Sequence, residues 1–190
     1  MTITRTEIED VLIIDPVVHG DDRGYFVETF RLDKLEAFLG HKLNFCQDNE
    51  SKSSKGVLRG LHYQLPPHSQ TKLVRVIEGE VLDVAVDIRK NSPTFGRYVA
   101  VKLSGENKRQ LFISRGFAHA FLVLSETATF AYKVDSFYSP ECDRGLAFDD
   151  PAIGIDWSID KALLKLSDKD TKQPLLADAD LFEYGVNLYV

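Results

Sequence analysis

Lys72-Leu-Val-Arg-Val-Ile-Glu-Gly-Glu-Val-Leu-Asp-Val-Ala-Val-Asp-Ile88 is the stretch from which the fold class is read. Two β-branched arms, residues 72–77 and 81–88, flank Glu78-Gly79-Glu80, which predicts a hairpin. In the second arm Leu82, Val84, Val86 and Ile88 fall on one face, and Asp83 and Asp87 on the other. A period of two with that split predicts a strand buried on one side only.

The same signal spreads outward. Downstream, residues 98–103, 110–113, 117–124 and 127–134 read as strands, separated by Ser104-Gly105, Arg115-Gly116 and Ser125-Glu126. Upstream, residues 57–64 form a strand that stops before Pro66-Pro67, and residues 43–49 form another. Residues 24–30 follow the turn His19-Gly-Asp-Asp-Arg-Gly24, and residues 11–14 end at Asp15-Pro16. Leu32, Leu35, Ala37, Phe38 and Leu39 have helical spacing, with Gly40 as the stop. Residues 158–170 read as loops and short helical turns, with Ser167 placed to cap. Many short strands with turn signals predict a mainly β, antiparallel sandwich or barrel. No linker or repeat interrupts the chain, so one domain over residues 1–190 is expected.

Composition narrows the function. A formal charge of -6 excludes a general nucleic-acid surface, which would be basic, but leaves room for a small anion held by local cations. Met1-Thr-Ile-Thr-Arg-Thr-Glu7 has no apolar secretion core. No apolar run approaches the roughly 20 residues that span a bilayer, so no membrane partner is expected. Cys46 and Cys142 form no CxxC pair, and both are expected to be reduced, small hydrophobes in a cytoplasmic protein.

The chemistry concentrates in Gly56-Val-Leu-Arg-Gly-Leu-His-Tyr-Gln64 and Lys72. His62 is a candidate proton acceptor beside the permanent cation Arg59. Arg75, Arg109 and Arg115 add cations nearby in sequence, and His119 follows. Burying several cations in strands is costly unless they face an anion, and guanidinium forks match phosphate oxygens. The pattern suits removal of a proton beside a carbonyl, on a sugar carried by a nucleotide. Strict alternation would put Arg59 and His62 on opposite faces. Both reach one pocket only if the pleat breaks between them, and Gly60 is the expected place for a bulge.

Other readings of these residues stay open. His62, His68 and His119 with a carboxylate would suit a divalent metal. Metal-binding cupins carry a His-x-His pair, whereas here Tyr63-Gln64 follows His62, so no metal is expected. His19, His41 and His68 are expected on the surface. Tyr132 and Tyr138 serve either as aromatic core or as a proton donor and a base-stacking ring. Nothing local assigns a role to Asp170.

Taken together, Gln47-Asp-Asn-Glu-Ser51, Val57-Leu-Arg-Gly-Leu-His62, Gly79-Glu-Val-Leu-Asp-Val-Ala-Val-Asp-Ile-Arg89 and Ser92-Pro-Thr-Phe-Gly96 resemble the dTDP-4-dehydrorhamnose 3,5-epimerase family. Gly116-Phe-Ala-His119, Tyr138-Ser-Pro140 and Ser167-Asp-Lys-Asp170 continue the resemblance. It implies a cupin-like antiparallel β-barrel (a jelly roll) with a few short helices, working as a homodimer with no cofactor. The implied substrate is dTDP-4-dehydro-6-deoxy-D-glucose. His62 matches the general base, Asp170 its carboxylate partner, Tyr132 the general acid, and Lys72 the lysine at the keto oxygen. Arg23, Glu28, Gln47, Asn49, Arg59, Lys72, His119, Asp143 and Lys169 match substrate-binding positions, and Tyr138 the ring that stacks on thymine. Asp143 is shorter than the Glu that relatives can carry. Residues 158–165 match poorly and receive no role.

Overall fold

The computed structural model describes residues 1–189; residue 190, the expected end of the domain, lies outside the described residues. The strands are β1 (Thr2–Arg5), β2 (Val11–Asp15), β3 (Val18–Asp21), β4 (Gly24–Val27), β5 (Gln47–Ser54), β6 (Leu58–Gln64), β7 (Lys72–Glu78) and β8 (Glu80–Asp87). They continue as β9 (Arg89–Lys90), β10 (Tyr98–Ser104), β11 (Gln110–Ile113), β12 (Phe117–Val123), β13 (Thr127–Val134), β14 (Asp143–Gly145) and β15 (Phe182–Glu183). The predicted helix is α1 (Leu32–Leu39), stopped by Gly40 at φ 79°, whose N–H donates to the Glu36 carbonyl.

The protein is mainly β, and its strands form two principal sheets. One has six strands in the order β1-β2-β11-β7-β13-β5, and the other five in the order β10-β8-β12-β6-β14. Their hydrogen-bond ladders do not join, so of the expected sandwich or barrel it is the two-sheet arrangement that is observed, without closure into a barrel. The predicted hairpin also fails. β7 lies in the six-stranded sheet and β8 in the five-stranded one, so Glu78-Gly79-Glu80 is a corner between sheets. Gly79 is required there, because a Cβ would sit 2.1 Å from the Thr127 carbonyl oxygen. From β5 to β8, and again from β10 to β14, each successive strand changes sheet.

Three apolar layers follow. Val74, Val76, Leu111 and Phe130 of the larger sheet meet Ala85, Val99, Phe117 and Phe121 of the smaller between the two. On its outer side the larger sheet packs Leu12, Leu73 and Phe112 against Leu35 of α1. The smaller sheet turns Leu82, Val84, Val86 and Leu122 toward Ile153, Trp157, Leu176 and Phe182 of the tail. The parity expected for β8 is therefore right, but the one-sided burial is not. The tail covers the far face, and Asp83 and Asp87 are fully buried on the near one. Asp87 is satisfied by Arg89, Ser92 and Thr94. Both cysteines are free, as expected, but Cys46 is exposed rather than a buried hydrophobe.

Candidate active site

A cavity of about 560 Å³ opens between the sheets. Its walls come from β5, β6, β7, β12 and β13 and from the returning tail, and they carry Arg59, His62, Lys72, His119, Tyr132 and Asp170. The pleat breaks where expected. His62 lies opposite His119, but Arg59 lies opposite Phe121, so β6 holds one residue more than β12 across this interval. Gly60 sits there at φ 120°, and a Cβ would fall 2.5 Å from the His119 carbonyl oxygen. The bulge lets Arg59 and His62 line the same cavity.

His62 Nε2 lies 2.6 Å from Asp170 Oδ1. Ser167 Oγ donates to Asp170 Oδ2 at 2.7 Å and accepts from the Asp170 N–H at 3.2 Å. Burial pushes the Asp170 carboxyl up, but the hydrogen bonds from His62 and Ser167 outweigh it and hold the group below its ordinary value. An ionised Asp170 fixes the His62 tautomer and leaves Nδ1 for the cavity.

Lys72 is buried, and its Nζ donates to the His62 carbonyl oxygen at 3.3 Å. Burial lowers its pKa to about 8, opposed by the charges of Asp83 and Asp143. Tyr132 is pushed up by burial, against the pull of Arg59, so its phenol is protonated at neutral pH. His62 stands on the smaller sheet and Tyr132 on the larger, so an imidazole and a phenol that could exchange protons with a ligand stand on facing walls. An ammonium in the same cavity is suited to developing negative charge.

The sequence model of dTDP-4-dehydrorhamnose 3,5-epimerase matches residues 5–178. The chain belongs to that family. A dTDP-4-dehydrorhamnose 3,5-epimerase of Shigella flexneri is 56% identical, over 96% of this chain and 99% of its own. The crystal structure of a dTDP-6-deoxy-D-glucose-3,5-epimerase from Legionella pneumophila, in complex with dTDP-4-keto-L-rhamnose, is 49% identical, with a TM-score of 0.93 over 97% of this chain and 99% of that one. A double mutant of a 3'-monoepimerase from Streptomyces bikiniensis, in complex with dTDP, is 35% identical, with a TM-score of 0.88 over 94% of this chain and 92% of that one.

The binding positions suggested by the epimerase resemblance divide into three groups. Asn49, Arg59, Lys72 and His119 line the cavity. Gln47, Tyr138, Asp143 and Lys169 form a connected rim. Gln47 donates to Asn49 at 2.8 Å and accepts from the Tyr138 N–H at 3.3 Å; the Tyr138 hydroxyl donates to Asp143 at 3.0 Å, and Lys169 pairs with Asp143. The Tyr138 ring is 58% exposed, so one face is open to a planar ligand. Arg23 and Glu28 stand apart from the cavity. Arg23 pairs with Asp21 on the β3–β4 ribbon, and Glu28 with Arg31.

Several expected contributors lie elsewhere. Arg109 is held by Asp15 and Arg115 by Asp135, while Arg75 faces a groove on the outer side of the larger sheet. Among the described residues no group of three His, Cys, Asp or Glu side chains converges as a metal site. His62 and His119 are each committed to their own carboxylate instead. Sequence reasoning missed Asp83, Lys165 and Leu166. Asp83 was legible as a charge inside an apolar strand. Lys165 and Leu166, which line the cavity because Lys165 bridges to Val57 beside β6, left no signal in the sequence.

Proposed function

We propose that the chain is an epimerase that inverts C3 and C5 of dTDP-4-dehydro-6-deoxy-D-glucose to give dTDP-4-dehydro-L-rhamnose, for dTDP-L-rhamnose biosynthesis. The observation that carries this reading is the His62–Asp170 pair on one wall of a cavity whose facing wall holds Tyr132. The relatives named for the same reaction support it.

His62 takes the proton from the carbon beside the ketone, and Asp170 stabilises the imidazolium that results. Charge moves to the keto oxygen, where the buried Lys72 ammonium stabilises the enolate. Tyr132 returns a proton from the other face, which inverts the centre, and bulk solvent resets both groups. The same sequence on either side of the C4 ketone inverts C3 and C5. Nothing is oxidised, so no redox cofactor enters. Arg59 takes the pyrophosphate, and Tyr138 stacks on thymine. Gln47, Asn49, His119, Asp143 and Lys169 complete the binding set. Fixing the nucleotide positions the sugar ring for both abstractions.

The finer assignments follow from this reading. The chain is one domain, an open variant of the cupin-like jelly roll, acting in the cytoplasm. It works as a homodimer. Val18, Tyr25 and Phe26 on the β3–β4 ribbon are exposed, Phe26 by 70%, and such an apolar arm is suited to pack on a second copy. Arg23 at its tip and Glu28 at its base would then serve the partner's cavity.

The test is solvent deuterium incorporation at C3 and C5, followed by proton NMR of the product. Label at both positions with inversion at both is expected. Label and inversion at C3 alone would make the chain a monoepimerase, and dTDP binding without label would make it a binding protein.

A further inference from the structure

We infer that Asp83 is a positioning residue for the reaction: its buried carboxylate sets the His119 tautomer and supplies the counter-charge that keeps Lys72 an ammonium. The inference deepens the epimerase reading and rests on it.

The Asp83 side chain is fully buried in the middle of β8, opposite Val101 of β10 and Phe121 of β12. An ionised carboxylate there is tolerated only with partners that offset its desolvation. Its one hydrogen-bonding partner among the described residues is His119 Nε2, 3.0 Å from both carboxylate oxygens. His119 is itself buried, and desolvation lowers its pKa, against the pull of Asp83. A neutral ring donating Nε2–H to Asp83 leaves Nδ1 as an acceptor for a ligand hydroxyl. With His119 neutral, the positive charge that balances Asp83 has to come from elsewhere.

Lys72 supplies it. The groups that act on Lys72 are Asp83 on β8, Asp143 on β14, Lys169 on the tail, His119 on β12, and His62 on β6, whose carbonyl oxygen takes its hydrogen bond. Asp83 is the larger of the two attractive charges, and Lys169 opposes them. Asp143 is shared with Lys169 and Tyr138 at the rim, whereas among the described residues Asp83 pairs only with His119. Removing its charge leaves Asp143 as the one attractive charge against desolvation and Lys169, and the amine then loses its proton at lower pH. A neutral Lys72 would no longer stabilise an enolate oxygen by charge.

The experiment compares the full-length protein with Asp83→Asn, which keeps size and a hydrogen-bond acceptor. The rate of C3 deuterium incorporation is measured against pH, together with the His119 ring ¹⁵N shifts of the unmutated protein. Asp83→Asn is expected to move the alkaline limb about one unit lower, with roughly five- to tenfold less kcat at about pH 8 and above. Its KM is expected to change less. The ¹⁵N shifts should show Nε2 protonated and Nδ1 bare. An unchanged limb in Asp83→Asn, or a proton on His119 Nδ1 with Nε2 bare, would overturn the assignment. If Asp83→Asn does not fold, the ¹⁵N tautomer decides alone. Absence of deuterium incorporation in the unmutated protein would instead sink the epimerase reading, and the tautomer would still be readable.

Discussion

Two histidines of one cavity are each paired with a carboxylate, and the two pairs are built differently. His119 and Asp83 belong to neighbouring strands, joined by a continuous ladder from Phe117 to Val123, and their side chains are 8% and 0% exposed. His62 and Asp170 are 108 residues apart, joining β6 to a short 3₁₀ turn of the tail, and His62 is 32% exposed. The first pair is part of a wall. The second has a ring that a ligand can reach and a carboxylate that a separate segment must deliver. Catalytic reach is obtained by closing a pair across the chain, and rigidity by closing it within a sheet.

The largest expected effect breaks the pair that reaches the ligand. His62→Ala should abolish deuterium incorporation, with a loss on the order of 10²–10⁴-fold, as for a general base. A loss under about tenfold would move the base elsewhere. The wall should answer in stability instead. Phe130 stacks on Phe121 at 4.0 Å and on the His119 ring at 6.1 Å, and it is 1% exposed. Phe130→Ala should cost about 3–5 kcal/mol in chemical denaturation. A change near zero would mean that the wall does not depend on this stack.

Milder changes sharpen the contrast. Activity should decline as pH rises through about 8, because the role proposed for Lys72 needs its charged form and burial has lowered its pKa to about 8. For stability the sign is reversed for this one group. Its folded pKa lies below the ordinary 10.5, so the unfolded chain binds more protons between the two values, and raising pH there favours the fold. A flat activity profile from about pH 7 to 9.5 would remove the ammonium from the rate-limiting step. The smallest effect concerns the brace of the tail-built pair. Ser167→Ala removes one hydrogen bond to Asp170, about 1.5–3 kcal/mol for a charged acceptor, and should lower kcat without raising the KM for the dTDP-sugar. An unaltered kcat would show that Asp170 is held without it.

The sequence was legible where burial alternates or where a glycine has no substitute. β11 and β13 match their predicted ranges, and the bulge at Gly60 lies where the Arg59–His62 spacing demanded it. β5 was misplaced. Apolar Leu43 and Phe45 drew the expected strand to residues 43–49, while the real one, Gln47-Asp-Asn-Glu-Ser-Lys-Ser-Ser54, is an edge strand with little to bury. The hairpin failed because turn chemistry is local, whereas the choice of sheet depends on partners tens of residues away. Arg109 and Arg115 show that cations close in sequence need not converge, since each found an acid nearer than the cavity. Asp170 was legible only through resemblance, because no local pattern records that a tail turn will come back to β6.

The corner at Gly79 bears on how the molecule comes into being. Strands that keep switching layers form few neighbour-to-neighbour ribbons, so β5 waits for β13 and β6 waits for β12 before either is paired. Such wiring favours slow acquisition of structure, with bare strand edges meanwhile open to the wrong chain. During synthesis, a finished cavity would be among the last properties to arrive, since the wall can assemble before residue 170 emerges but the His62–Asp170 pair is not completed until it does.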